Sequence, residues 1–393
     1  MKKIFYVLSI IILFGFSDLY SQENNFIKVY LITCGPGTET YSIYGHSALR
    51  IVDQNTGSDL VYNWGTFDFS TPNFVWKFAK GKLQYMLGVT TFNSFRQEYF
   101  LEQRWLQIQE INLEPEEKQL LLQLITENLK PENRKYRYDF FYDNCSTRIR
   151  DLLEKIMGSK LFYPPDVPDK TESFRFMTGK YQSLYPWLNL GIDLLLGIPC
   201  DRKADFRERM FLPIEMQNGL SKTLLKRSGK MIPLLTNPET LLDFAEPQTK
   251  LLFYTSPTFV FSLTLIIIII IFALIRKTII VNIIDIILFG VFSCLALLML
   301  FGNFMTEHPQ MKWNLNILWL SPFLLICLAA IIFNKKWYSW FRVVFVLCIT
   351  AFFVQVIFSR GFNTAFIPLI LILIHRSSAR AGFSWNPLSA ELI

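Results

Sequence analysis

The chain has 393 residues, of which 51% are hydrophobic, with a mean hydropathy of +0.29 and a formal net charge of +7. That composition excludes an ordinary soluble globular protein, and the length leaves room for two to three domains. The charge is no nucleic-acid footprint: from Pro257 onward nine Lys and Arg stand against three acids, so nearly all the excess lies among apolar spans.

In chain order, Met1-Lys2-Lys3, an apolar run from Ile4 to Phe16 and a polar stretch to Gln22 have the order of a secretory signal. Residues 1–21 are read as a signal peptide cleaved near Ser21, with an uncleaved anchor as the alternative. Residues 22–161 form the first exported domain. Strands are expected at Phe26 to Thr33, Ser47 to Val52, Leu60 to Trp64, Leu83 to Thr90 and Leu106 to Leu113, from aromatic and β-branched alternation. A helix is expected from Pro115, which suits a first helical position, to Leu129, with Pro131 closing it. A second starts at Cys145 behind Asn144 and ends near Gly158. The class is α+β, a mostly antiparallel sheet with helices on one side.

Pro164, Pro165 and Pro168 interrupt the chain, and residues 162–256 read as a helical, membrane-proximal extension of the exported part. Within it the leucine-rich run around Trp187 suits a core helix or an interfacial one. Residues 257–393 carry five expected spans: Thr258 to Ile275, Ile279 to Phe301, Leu315 to Phe333, Phe341 to Phe358 and a short Phe362 to Ile374. With the preceding domain exported, the loops at Arg276-Lys277, Asn334 to Trp340 and His375 to Arg380 face the cytoplasm, as the excess of positive charge there requires. The loop 302–314, with His308, then lies on the exported side, either as a polar cap on two spans or as a contact for the catalytic domain or a lipid headgroup. Asp285 is an ionisable group inside a span, a functional candidate by default, with pairing to Lys277 or snorkelling as the other readings.

Two motifs carry chemistry. His46 lies in Tyr44-Gly45-His46-Ser47-Ala48-Leu49-Arg50, and Cys145 lies in Tyr142-Asp143-Asn144-Cys145-Ser146-Thr147-Arg148. A thiol in the first turn of a helix, behind an Asn cap, sees unpaired N–H groups and the positive end of the dipole, which lower its pKa. His46 on a neighbouring strand accepts its proton, and Asn63 or Tyr62 on the next strand orients the imidazole. Backbone N–H groups at the helix start are candidate oxyanion donors. The competing reading of Cys145 is an inert buried cysteine. Cys34 and Cys200 are candidates for a disulfide; the cysteines in the spans read as packing residues. The three histidines lie in separate regions, so no metal site and no cofactor is expected.

These motifs, with Thr33-Cys34-Gly35-Pro36-Gly37, Val61 to Phe69, Gly81 to Leu87, Pro186-Trp187, Met210-Phe211-Leu212-Pro213, His308-Pro309 and Asn314-Leu315-Asn316, resemble the Lnb-type lipoprotein N-acyltransferase family over nearly the whole chain. The resemblance implies a circularly permuted papain-like domain of the lecithin:retinol acyltransferase group, followed by a transmembrane bundle of about five helices. It implies Cys145 as nucleophile, His46 as base and Asn63, or Tyr62, as the third member. Tyr44, Arg50, Arg148 and His308 become candidates for substrate contact, with pairing of the two arginines to acids such as Asp68 or Asp143 as the structural alternative. The implied donor is a membrane phospholipid and the implied acceptor a diacylated lipoprotein. The implied location is the inner membrane, multi-pass, with the catalytic domain in the periplasm. A Cys-His phospholipase or peptidase of the same fold and a non-catalytic membrane scaffold are the other readings.

Overall fold

The computed structural model describes residues 26–165, 172–248, 251–275, 277–357 and 363–383. The expected signal peptide, part of the proline-rich break, and Arg276, Phe358, Arg360 and Phe362 lie outside them. The chain forms two compact units: the described residues of Met1–Thr171 with Ala204–Pro247, and those of Glu172–Lys203 with Gln248–Ile393.

The first unit is built on strands β1 (Ile27–Cys34), β2 (His46–Asp53), β3 (Ser58–Thr66), β4 (Gln84–Thr91), β5 (Leu106–Glu110) and β6 (Lys135–Arg137). Helix α1 (Phe74–Ala79) precedes β4, α2 (Phe92–Leu101) follows it, and α3 (Pro115–Leu129) and α4 (Cys145–Met157) come after β5 and β6 in turn. The remaining strands are β7 (Leu161–Phe162), β8 (Leu224–Arg227), β9 (Lys230–Pro233) and β10 (Glu239–Leu242). Seven strands form one antiparallel sheet in the order β10-β5-β1-β2-β3-β4-β6. The interior strand β1 is buried on both faces from Leu31 to Cys34, which shows that both faces are covered.

One face packs Val29, Leu31, Leu49 and Ile51 against Leu121 and Ile125 of α3 and Ile149, Leu153 and Ile156 of α4. Those helical positions recur at the spacing of one buried stripe. The other face packs Ile32, Ala48 and Val61 against Phe92, Phe95 and Tyr99 of α2. Helices therefore cover both sides of the sheet, not one as expected. The reason is the alternation of side chains along a strand: β1 and β2 carry apolar residues at successive positions, so each face needs a cover. Helix α3 starts at Pro115 behind a capping box of Glu114 and Glu117.

The expected extension 162–256 does not hold together. Residues 172–203, with helices α5 (Phe174–Gln182) and α6 (Pro186–Leu195), belong to the second unit. The stretch from Ala204 returns to the first, where Met210, Met216, Leu220, Leu225 and Leu235, including the face of α7 (Pro213–Ser221), join the core of α3 and α4. Leu190, Leu194 and Leu195 of α6 pack on the core of the apolar helices instead.

The second unit continues with α8 (Pro257–Leu274), α9 (Thr278–Leu300), α10 (Phe323–Ile332), α11 (Tyr338–Ile357) and α12 (Phe366–Arg380). Among the described residues four stretches are long and apolar enough to cross a membrane: Pro257–Leu274, Thr278–Met305, Leu315–Ile332 and Tyr338–Ile357. The fifth expected span is α12, only 15 residues long. It also runs through His375 to Arg380, which were expected as a loop. Asp285 explains the difference: Arg376 binds it at 2.8 Å and Arg380 at 2.6 Å, so Lys277 is not its partner. Arg376 and Arg380 are one turn apart on one helical face, which brings both to the same carboxylate. Loop residue Asn314 donates to the Leu194 carbonyl at 2.7 Å, and Asn363 donates to Asn189 at 2.8 Å and Asp193 at 3.1 Å, so polar contacts also seat α6 on this unit.

Candidate active site

Cys145 is the first residue of α4, and its position is set by Asn144. The Asn144 Oδ1 accepts from the N–H of Ser146 and of Thr147, both at 2.9 Å, and Thr147 Oγ1 accepts from the Asn144 N–H at 2.7 Å. The Asn144 amide also donates to the carbonyls of Phe140 at 2.7 Å and Phe211 at 2.8 Å. One side chain thus caps the helix and ties its start to two loops. The cap engages every N–H of the first turn except that of Cys145, which narrows the expected set of oxyanion donors to that one group.

His46 opens β2, opposite Cys34 at the end of the β1–β2 pairing. Gly45 before it sits at φ +79°, and a Cβ there would lie 2.7 Å from the Cys34 carbonyl oxygen, so only glycine fits. Leu49 pairs with Tyr62 across β2 and β3. Continuing that register sets Ala48 opposite Asn63 and His46 on its diagonal, within reach of a side chain. His46 Nε2 and Asn63 Oδ1 are 2.6 Å apart. An amide oxygen only accepts, so Nε2 carries the proton and Nδ1 is the nitrogen left to deal with the thiol. Successive residues on a strand face opposite sides, and Tyr62 accordingly packs against the sheet core with α3 and α4, away from the imidazole.

The two titratable groups hold each other in the charged form. Burial pushes the Cys145 thiol up, but the charge and hydrogen bond of His46, with the Ser47 backbone and Ser146, outweigh it, and the net direction is down from 9.0. Burial pushes His46 down, and the Cys145 charge and hydrogen bond together with Asn63 outweigh it, so its net direction is up from 6.5. A thiol shifted down beside an imidazole shifted up, at the base of a cleft, is the direction in which a sulfur nucleophile is activated.

Cys145, His46 and Asn63 line a cavity of about 540 Å³. Its walls include Tyr44, which packs on Phe140 at 4.7 Å between ring centroids, and Phe67, Phe69, Phe74 and Phe78 from the segment around α1. The rings of Phe67, Phe69 and Phe74 form one cluster, at 4.8 Å and 5.2 Å for the pairs that share Phe69. Gly65, at φ +96°, lies at the register shift between Trp64 and Thr66 where β3 turns into this wall. Glu98, Glu102 and Arg104 supply a charged part of the lining, with Arg104 bound to Glu102 at 2.7 Å. Sequence reasoning missed the aromatic wall and these charges. The signal for the wall was the density of Phe between residues 67 and 78.

Arg50 and Arg148 do not line the cavity. Arg50 grips Asp59 with two bonds of 2.8 Å and 2.7 Å and lies over the Phe92 ring at 3.6 Å. Arg148 holds Asp143 at 2.6 Å and 2.9 Å and lies over the Tyr136 ring at 3.4 Å. Both are bidentate, stacked fold contacts. Asp59, not Asp68 or Asp143, is thus the partner of Arg50. His308 belongs to the second unit, where it stands just before the short turn Pro309–Met311 and makes no side-chain cap to it. Cys34 and Cys200, the candidates for a disulfide, are each buried free thiols; Cys200 donates to the Gln310 carbonyl at 3.3 Å. Among the described residues no three His, Cys, Asp or Glu side chains gather as a metal site.

Residues 18–169 match the model of the Lnb N-terminal periplasmic domain, and residues 248–383 match that of the Lnb transmembrane domain. No curated protein and no solved structure matches the chain.

Proposed function

Because this chain belongs to the Lnb family, with a periplasmic N-terminal domain and a transmembrane domain, we propose that it is a lipoprotein N-acyltransferase of the inner membrane. It moves an acyl chain from a phospholipid, through a thioester on Cys145, to the N-terminal amine of a diacylated lipoprotein. The observation that carries this reading is the convergence of Cys145, His46 and Asn63 in an aromatic-walled cavity of about 540 Å³.

In the first half-reaction the Cys145 thiolate attacks the ester carbonyl carbon, and the Cys145 N–H stabilises the oxyanion. The intermediate collapses by breaking the bond to the glycerol oxygen. The imidazolium of His46 gives its Nδ1 proton to that oxygen, and a lysophospholipid leaves. In the second, the neutral α-amine of the lipoprotein's N-terminal cysteine attacks the thioester while Nδ1 of His46 takes a proton from it. Collapse forms the amide and returns the thiolate beside an imidazolium, the starting state. Asn63 keeps the ring oriented through both halves by accepting from Nε2. The aromatic wall restricts water around the thioester, which favours the amine over hydrolysis.

Mass spectrometry of lipoprotein N-termini, from cells whose sole copy is wild type or Cys145→Ala, tests the reading. The proposal expects the N-terminal amine to be acylated only with the wild type. Acylation that persists with the variant overturns it, and released fatty acid without N-acylation marks a lipase in its place.

A further inference from the structure

The segment that walls the cavity has a second, outward face. Helix α1 buries none of its residues. Phe69 is 71% exposed, Val75 77%, Trp76 54% and Phe78 53%. Phe74 packs on Phe67 and Phe69, but the other large apolar side chains of the segment stay mostly uncovered by their own domain, a patch of the kind that marks an interaction surface. Its charges point to the occupant. Residues 67–82 contain Lys77, Lys80 and Lys82 against one acid, the exposed Asp68, and the Lys80 ammonium lies 4.8 Å from the Trp76 ring centroid. Apolar side chains with a tryptophan among them, ringed by lysines whose stems can lie along apolar matter, match the boundary between headgroups and acyl chains.

We propose that residues 67–82 dock on an anionic phospholipid leaflet, with Val75 and Trp76 entering the acyl boundary and the three lysines on the phosphates. The occupant is lipid and not a protein partner for two reasons. The same chain carries membrane spans, so a bilayer is always at hand. The wall is also continuous with the site: Phe69 and Phe78 both line the cavity that holds Cys145 and stand exposed. A chain lifted from the leaflet along these rings reaches the thiolate without crossing water. That delivery role rests on the acyl-transfer reading; the docking itself does not.

The full-length protein in bilayers with brominated acyl chains provides the test. The fluorescence of Trp76 is taken as the wild-type emission minus that of Trp76→Phe, a variant whose fold is checked by an unchanged alkylation rate of Cys145. With one third phosphatidylglycerol in phosphatidylcholine, the proposal expects the Trp76 emission to be quenched at least twofold. Changing Lys77, Lys80 and Lys82 together to Gln should remove most of that quenching. Emission at the wavelength of exposed tryptophan, unquenched, overturns the proposal. So does emission shifted to the blue yet unquenched, which marks a protein partner. Because quenching needs no turnover, an inactive protein that is quenched keeps the docking and loses the transferase reading. An active one that is not quenched does the reverse.

Discussion

His46 donates from Nε2 to Asn63 Oδ1 at 2.6 Å, and this single bond fixes which ring nitrogen serves Cys145. An imidazole held by an acceptor on one side keeps its tautomer when the other nitrogen takes and returns a proton. Asn63→Ala removes a hydrogen bond to an ionised group, worth about 1.5–3 kcal/mol, or roughly 10- to 100-fold in rate. The predicted result is a fall of that size in kcat/KM for acyl transfer with little change in thermal midpoint. Tyr62→Phe, on the opposite face of the same strand, should leave the rate within about twofold. Parallel kinetics on the two variants check both.

The pH profile follows from the mutual shifts. Cys145 is lowered from 9.0 chiefly by the His46 charge, working against burial, and His46 is raised from 6.5 by the Cys145 charge, also against burial. The thiolate is therefore lost as pH falls through the lowered thiol value, and the imidazolium is lost as pH rises through the raised histidine value. Alkylation of Cys145 by iodoacetamide should stay fast well below the ordinary thiol range. In His46→Ala only burial and the weaker Ser47 and Ser146 contacts remain, so the midpoint of alkylation against pH should move up. A midpoint that stays put in the variant would mean the imidazole does not hold the thiolate.

Asn144 joins stability to geometry. Its side chain makes four hydrogen bonds, two as cap and two to the carbonyls of Phe140 and Phe211. Asn144→Ala should cost about 1–2 kcal/mol from the cap, and more from the buried carbonyls it strands. Asn144→Ser keeps the cap and should restore part of the stability. Thermal unfolding of the two variants reports the difference, and equal midpoints for Ala and Ser would contradict the capping role.

In the second unit the buried Asp285 takes bonds from Arg376 and Arg380. Losing the Arg376 bond leaves Asp285 with Arg380 alone, so the cost falls below the ~3–5 kcal/mol of a buried charge left with no partner. Arg376→Gln should therefore lower the unfolding midpoint in detergent, and adding Asp285→Asn to it should recover part of the loss. A double variant less stable than both single ones would contradict the pairing.

Much of this was legible because it is local. β1 to β5 stand within a few residues of their predicted bounds, since strand alternation and turn residues mark them. Pro115 and Asn144 announced the starts of α3 and α4. What hydropathy does not carry is which of two cores an apolar stretch joins. The leucines of α6 and those near Leu220 look alike in sequence, yet they pack in different units. Helix α2 buries Phe92, Phe95 and Tyr99 but also carries exposed Phe100 and Leu101, which blur its period. The partners of Asp285 lie 91 and 95 residues away, beyond any local pattern. At the site, Cys145 and His46 were readable as a helix start and a strand position, whereas the choice between Asn63 and Tyr62 needed the strand register. The Phe67 to Phe78 wall follows no period and becomes a surface only when folded.

Acyl transfer through Cys145 requires that the thiol carry the chain before the acceptor arrives. Full-length protein in bilayers, given phospholipid but no lipoprotein, should hold an acyl group on the Cys145 peptide. Mass spectrometry should find that group, neutral hydroxylamine should remove it, and added lipoprotein should discharge it as N-acyl product. Lipoprotein N-acylation proceeding while Cys145 stays free of acyl at every time point, or continuing in Cys145→Ala, would contradict the account.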